Sequence, residues 1–139
     1  MPREQPVGPR ILVVDDSIIV RQVLVMTLRQ LPEFLYATIE EAGNGALALR
    51  KLETARYDLI LSDIRMPLLD GLELVRRVRQ DMHDSQTPIV LISTLGTDED
   101  IRRGMEAGAT AYIRKPLSPH HIKVALQELV ARQRLGRRD

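Results

Sequence analysis

Cysteine is absent from the 139 residues. That excludes disulfides and thiolate metal sites and agrees with a reducing compartment. An excess of either charge is missing too: 20 basic residues face 19 acidic ones, for a net charge of +1. Such a balance gives no reason to expect binding to nucleic acid or to a membrane surface. No apolar run approaches the ~18 residues of a membrane span. The first ten residues are polar, with three prolines and two arginines, and lack the apolar centre of a signal peptide. The expected location is therefore cytoplasmic. Neither a Gly-rich dinucleotide fingerprint nor a Walker A lysine loop occurs, so no nucleotide cofactor is indicated. Internal repeats, low-complexity segments and linkers to a second domain are also missing. What remains is 44% hydrophobic, enough for a proper core, in a length that suits one domain.

Residues 1–9 read as a flexible leader. Ile11-Leu12-Val13-Val14 is a continuous apolar run, the pattern of a strand buried on both faces, and it ends on Asp15-Asp16. Ser17 is placed to cap a helix, on which Val20, Val23, Leu24, Leu28 and Leu31 share one face until Pro32 stops it. Residues 35–40 predict a second strand, with Tyr36, Thr38 and Ile39 favouring extended structure. Asn44-Gly45 opens a second helix that turns Leu49 and Leu52 inward. Leu59-Ile60-Leu61-Ser62 is a third buried run, closing on Asp63 before Met66-Pro67. Asp70-Gly71 starts a third helix with Leu72, Val75, Val78 and Met82 on its apolar face. Ile89-Val90-Leu91-Ile92 is the fourth run, ending on Ser93-Thr94. Thr97-Asp98-Glu99-Asp100 has the form of a capping box and begins a short helix weakened by Gly104 and ended by Gly108. Residues 110–113 form the fifth strand, before Lys115-Pro116. Ser118-Pro119 then caps a last helix to about residue 134, with a short tail at 135–139.

Five strands alternating with five helices predict an α/β fold with a parallel sheet covered on both sides. For five strands the flavodoxin-like order 2-1-3-4-5 fits, giving a (βα)5 doubly wound sandwich whose chemistry lies beyond the carboxyl ends of the strands. In that order the first and third strands are neighbours, so Asp15, Asp16 and Asp63 meet. Three carboxylates so close repel, and one is pushed toward neutrality. A divalent cation resolves the repulsion. With no His or Cys nearby the ligands are hard oxygens, favouring Mg²⁺ or Mn²⁺ over zinc. Ser93 brings a hydroxyl to the same edge and Lys115 a mobile cation. A nucleophilic carboxylate, a metal held by acids, and groups to hold phosphoryl oxygens together suit phosphoryl transfer to an aspartate.

The segments Ile11-Leu12-Val13-Val14-Asp15-Asp16-Ser17, Asp63-Ile64-Arg65-Met66-Pro67, Asp70-Gly71, Ser93-Thr94 and Tyr112-Ile113-Arg114-Lys115-Pro116 carry a resemblance that covers almost the whole chain. In combination they resemble the receiver domain of bacterial two-component response regulators, of the single-domain CheY-like kind, here at residues 10–134. The resemblance implies a phosphorylation-dependent switch with Asp63 as phosphoacceptor. It implies Mg²⁺ held by Asp16, Asp63 and the backbone carbonyl of Arg65, with Asp15 acting mainly through a bound water. Ser93 and Lys115 would grip the phosphoryl oxygens, and Ser93 with Tyr112 would form the switch. Arg65 and Leu95 would flank the path of the hydrolytic water and tune dephosphorylation. Their character, with the bulk of Thr94, predicts a long-lived phosphoryl group. Three residues depart from the commonest family pattern: Ser93 stands for threonine, Thr94 for alanine and Leu117 for phenylalanine. None of these departures removes a functional group.

The partners so implied are a sensor histidine kinase or phosphotransfer protein and a downstream target protein. Nucleic acid and membrane are not expected, and the chain is expected to be a monomer or weak dimer. Beyond catalysing its own phosphorylation and dephosphorylation it would not be an enzyme. One alternative, an interaction module that has lost phosphorylation, is opposed by the intact Asp63, the acids for Mg²⁺ and Lys115. Another is a metal-dependent phosphatase or phosphotransferase with an aspartyl nucleophile. It is disfavoured because such enzymes place a second acid soon after the first, and here Ile64 and Arg65 follow Asp63. His83, His120 and His121 are not expected to donate phosphoryl groups, since the donor histidine belongs to the partner.

Overall fold

The computed structural model describes residues 8–93, 97–114 and 118–133. The strands are β1 (Arg10–Val14), β2 (Thr38–Ala42), β3 (Leu59–Asp63), β4 (Ile89–Ser93) and β5 (Ala111–Arg114). They alternate with α1 (Ile18–Arg29), α2 (Gly45–Thr54), α3 (Gly71–Arg76), α4 (Asp98–Ala107) and α5 (Pro119–Gln133). All strand pairs are parallel, in the order β2-β1-β3-β4-β5. This is the flavodoxin-like α/β architecture that the alternation predicts.

Successive strand residues point to opposite faces, and both faces are covered. Ile11, Val13, Leu59 and Leu61 pack with Leu24 and Leu28 of α1 and Ile122 and Leu126 of α5. Leu12, Val14, Ile60 and Leu91 pack with Ala48 of α2, Leu74 and Val75 of α3 and Ile101 of α4. Burial on both sides is why these strands read as unbroken apolar runs and not as alternating ones.

The first four helices start just past the carboxyl edge of the sheet, each under a side-chain cap. Ser17, Asn44, Asp70 and Thr97 accept from the N–H groups of Val20, Leu47, Glu73 and Asp100. A cap of this type contributes ~1 kcal/mol. The expected capping box is present: Thr97 N–H donates in turn to the Asp100 carboxylate.

Three local expectations are revised. The second strand begins at Thr38 and not at residue 35, because a 3₁₀ turn at Pro32–Phe34 follows α1 and buries Phe34. Leu35 and Tyr36 are left exposed on the far side of that turn. The third helix is shorter and passes into a π-helical turn, Arg77–Asp81. Its buried face is Leu74, Val75 and Val78, while Leu72 and Met82 are only partly covered. Gly104, expected to weaken α4, is packed against side chains of β4 and α3. A Cβ there would sit 2.3 Å from Leu91 Cδ1 and 3.1 Å from Leu72 Cδ2. Among the described residues no helix is long and apolar enough to cross a membrane.

Candidate functional site

The parallel register brings the ends of β1 and β3 side by side, with Val14 opposite Ser62. Asp15 follows β1 directly, and its N–H donates to the Ala42 carbonyl of β2 at 3.1 Å. Asp63 ends β3 opposite Ile92 of β4. As a result one carboxylate oxygen each of Asp15, Asp16 and Asp63 lies within 4.8 Å of the others. Asp15 and Asp63 are buried, whereas Asp16 is exposed.

Local chemistry orients each acid. Asp15 Oδ1 accepts the Ser17 N–H at 2.8 Å, which turns the chain into α1. The Arg21 guanidinium, one turn along α1, donates to the Asp15 carbonyl and through Nε to Glu41 Oε1 at 2.9 Å. Asp63 Oδ1 accepts the Ile64 N–H at 2.7 Å. The loop after β3 folds back over this strand end. Gly71 N–H donates to the Ile64 carbonyl at 2.8 Å, and Gly45 N–H holds the Leu69 carbonyl at 3.2 Å. Leu68, with φ of 71°, makes the bend.

The electrostatics are those of an acidic cleft. Among the described residues, Asp15 Oδ2 is buried with no hydrogen-bond partner. Burial, together with the charges of Asp63 and Asp16, pushes the Asp15 carboxyl up to about 7, against the pull of the Ser17 N–H and Arg21. A buried acceptor without a donor, beside two more carboxylates, suits a cation. The donor set is oxygen only, which selects a hard one.

Ser93 ends β4 one residue beyond Ile92, buried at 6% exposure. Tyr112 lies on β5 opposite Leu91 with 43% of its surface exposed. Lys115, Leu95, Thr94 and Leu117 lie outside the described residues, as do positions 1–7 of the leader and the tail. Arg65, two residues beyond Asp63, reaches the first turn of α4. Its Nε donates to Asp100 Oδ2 at 2.9 Å, and its Nη2 lies 2.7 Å from the same oxygen. Sequence reasoning missed the roles of Asp100 and Arg21. The spacing of Arg21 from Ser17 places it beside the strand end, but a polar residue on a helix carries no signal of its own. Asp100 was already accounted for as a cap.

The sequence matches the family model described as response regulator receiver domain over residues 11–127. The chain belongs to that receiver domain family. It is 42% identical to a gliding motility regulatory protein of Myxococcus xanthus over 106 residues, which is 76% of this chain but 13% of that protein. It is 35% identical to the chemotaxis protein CheY1 of Helicobacter pylori over 119 residues, covering 85% of this chain and 94% of that one. Among solved structures, the chemotaxis response regulator CheY4 of Vibrio cholerae superposes with a TM-score of 0.77 at 35% identity, over 88% of this chain and 99% of that one. The receiver domain of the sensor histidine kinase PA1611 of Pseudomonas aeruginosa has a TM-score of 0.75 at 29% identity, over 90% and 99%. That structure has a magnesium ion coordinated in its active site cleft. A receiver domain is a signalling module of two-component systems, not a classical enzyme.

Proposed function

We propose that this receiver accepts a phosphoryl group from a histidine kinase or phosphotransfer protein on Asp63, in a Mg²⁺-dependent reaction, and thereby changes its protein contacts. The observation that carries the reading is the buried Asp15 Oδ2, without a partner among the described residues, beside Asp16 and Asp63 at the switch point of the sheet. An Asp63 oxygen attacks phosphorus, the bond from phosphorus to the donor imidazole breaks, and the imidazole nitrogen leaves. Later a water attacks the same phosphorus and frees orthophosphate, and the Asp63 carboxylate returns. Asp16, Asp63 and the backbone carbonyl of Arg65 would hold the Mg²⁺, and Asp15 would act through a bound water. When bound, the ion neutralises charge on the phosphoryl oxygens and on the acids. Ser93 supplies a hydroxyl to the phosphoryl group, and Lys115, outside the described residues, an ammonium.

The output surface is the face of α4, β5 and α5. Each of these elements carries one exposed large apolar residue: Met105, Tyr112 and Val124. A phosphoryl group drawing Ser93 inward lets the outward Tyr112 ring turn in, shifting populations between two states of this face. Beryllofluoride with Mg²⁺, which mimics the phosphoryl group, tests the reading by NMR. Shifts are expected both around Asp63 and at residues 97–114. Shifts confined to the Asp63 pocket contradict the switch, and no shifts at all contradict the site.

A further inference from the structure

The first turn of α4 is tied to the acceptor loop by a charge pair that the capping box does not require. Asp100 is buried at 6% exposure, and its Oδ2 takes the Thr97 N–H as well as the Arg65 guanidinium. Arg65 stands two residues after Asp63, and its charge is the main compensation for that buried carboxylate. Arg103 adds a smaller contribution from within α4. Elsewhere α4 is held differently. Gly104 is wedged against Leu91, and the Gly108 carbonyl accepts Arg79 Nε at 2.9 Å. A second pair at the first turn, Arg114 with Asp98, is exposed, and pairs of that kind contribute little.

We propose that the Arg65–Asp100 pair is a latch that holds the first turn of α4 to the acceptor loop, and that a phosphoryl group on Asp63 opens it by drawing the Arg65 guanidinium away. The proposal rests on Asp63 being the phosphoacceptor. Two features make the exchange favourable. Arg65 directs both Nε and Nη2 at a single Asp100 oxygen, so the two-oxygen fork that a guanidinium prefers is not satisfied there. A phosphoryl group offers three oxygens and close to two negative charges. Asp100, once released, is a buried carboxylate left with a backbone cap and a distant Arg103. It regains solvation only if the first turn of α4 moves outward. The C-terminal half, gripped by Arg79 and by the contact at Gly104, stays in place, so α4 pivots about that end. Asp100 is a positioning residue in this scheme: it decides where Arg65 spends its time. The signal thus has a second route into α4, separate from the Ser93 hydroxyl and the Tyr112 ring.

Coupling of this kind is reciprocal, which fixes the signs of two substitutions. Asp100→Asn keeps an acceptor for the Thr97 N–H and removes only the charge. It frees Arg65 for the phosphoryl group, so the acyl phosphate decays more slowly than in the wild type, by roughly two- to fivefold, the size expected of a partly exposed ion pair. Arg65→Ala breaks the same pair but removes the clasp, so decay is faster by a similar factor. In both variants, without any phosphodonor, amide hydrogen exchange speeds up at residues 98–102 and is unchanged at 105–108. Opposite effects on decay with the same effect on α4 would not arise from a general loss of stability.

The experiment is a decay measurement on the full chain after acetyl phosphate is removed, paired with hydrogen exchange on the unphosphorylated proteins. Decay in Asp100→Asn at or above the wild-type rate overturns the proposal, as does unchanged exchange at 98–102 in both variants. Failure of the wild type to take up any phosphoryl group counts instead against Asp63 as acceptor. In that event the exchange arm still decides whether the pair holds α4.

Discussion

Gly71 lies directly on Asp63: a Cβ at position 71 would sit 2.2 Å from the Asp63 carbonyl oxygen. The obstacle is backbone on a buried strand end, which has no room to yield. Gly71→Ala should therefore destabilise the fold by ~1–3 kcal/mol and displace the acceptor. Urea denaturation reads the first effect, and the yield of phosphorylation by acetyl phosphate the second. A variant as stable and as readily labelled as the wild type would show that the loop has slack here.

Tyr57 and Glu40 predict a pH dependence at the opposite edge of the sheet. The buried Tyr57 hydroxyl donates to Glu40 Oε1 at 2.7 Å. Burial first, then Glu40, pushes Tyr57 up to about 12 from 10.0. The unfolded chain therefore loses this proton before the folded one does. The stabilisation is complete below pH 10 and is lost as pH rises toward about 12, a change on the order of 1–2 kcal/mol. Tyr57→Phe should cost ~1 kcal/mol at neutral pH and remove that part of the alkaline slope. Parallel stability curves for the two proteins between pH 10 and 12 would contradict the assignment.

Asp16 is the exposed member of the acidic trio. Without metal its charge opposes the other two, so Asp16→Asn should raise the melting temperature in chelator, by an amount matching ~0.5–1 kcal/mol. The same substitution should abolish the gain in melting temperature that Mg²⁺ gives the wild type. Equal Mg²⁺ stabilisation of both proteins would place the ion elsewhere.

Much of this was legible in the sequence, for a physical reason. Runs such as Ile11-Leu12-Val13-Val14 and Ile89-Val90-Leu91-Ile92 exist because both faces of β1 and β4 are buried, and the polar residues that follow them, Asp15-Asp16 and Ser93, sit where a parallel sheet opens. Edge strand β2 carries a weaker pattern: it is only half covered and contains Glu40 and Glu41. The extended propensity of Leu35 and Tyr36 therefore competed with the burial of Phe34, and burial prevailed. The link from Arg65 to Asp100 spans 35 residues. Each partner has a sufficient local explanation, one as a loop arginine and the other as a cap, so nothing in the sequence marks them as a pair. Arg21 was hidden likewise, as one polar residue on an amphipathic helix.

The central claim is that Asp63 receives the phosphoryl group with the help of the acidic cleft. The most direct measurement is mass spectrometry of the full chain after incubation with acetyl phosphate, in Mg²⁺ and in excess chelator, for the wild type and Asp63→Asn. A single phosphoryl group is expected on the wild type, mapping to the peptide that contains Asp63, in Mg²⁺ alone and absent from the variant. Labelling of equal extent in chelator, or in Asp63→Asn, would contradict the account.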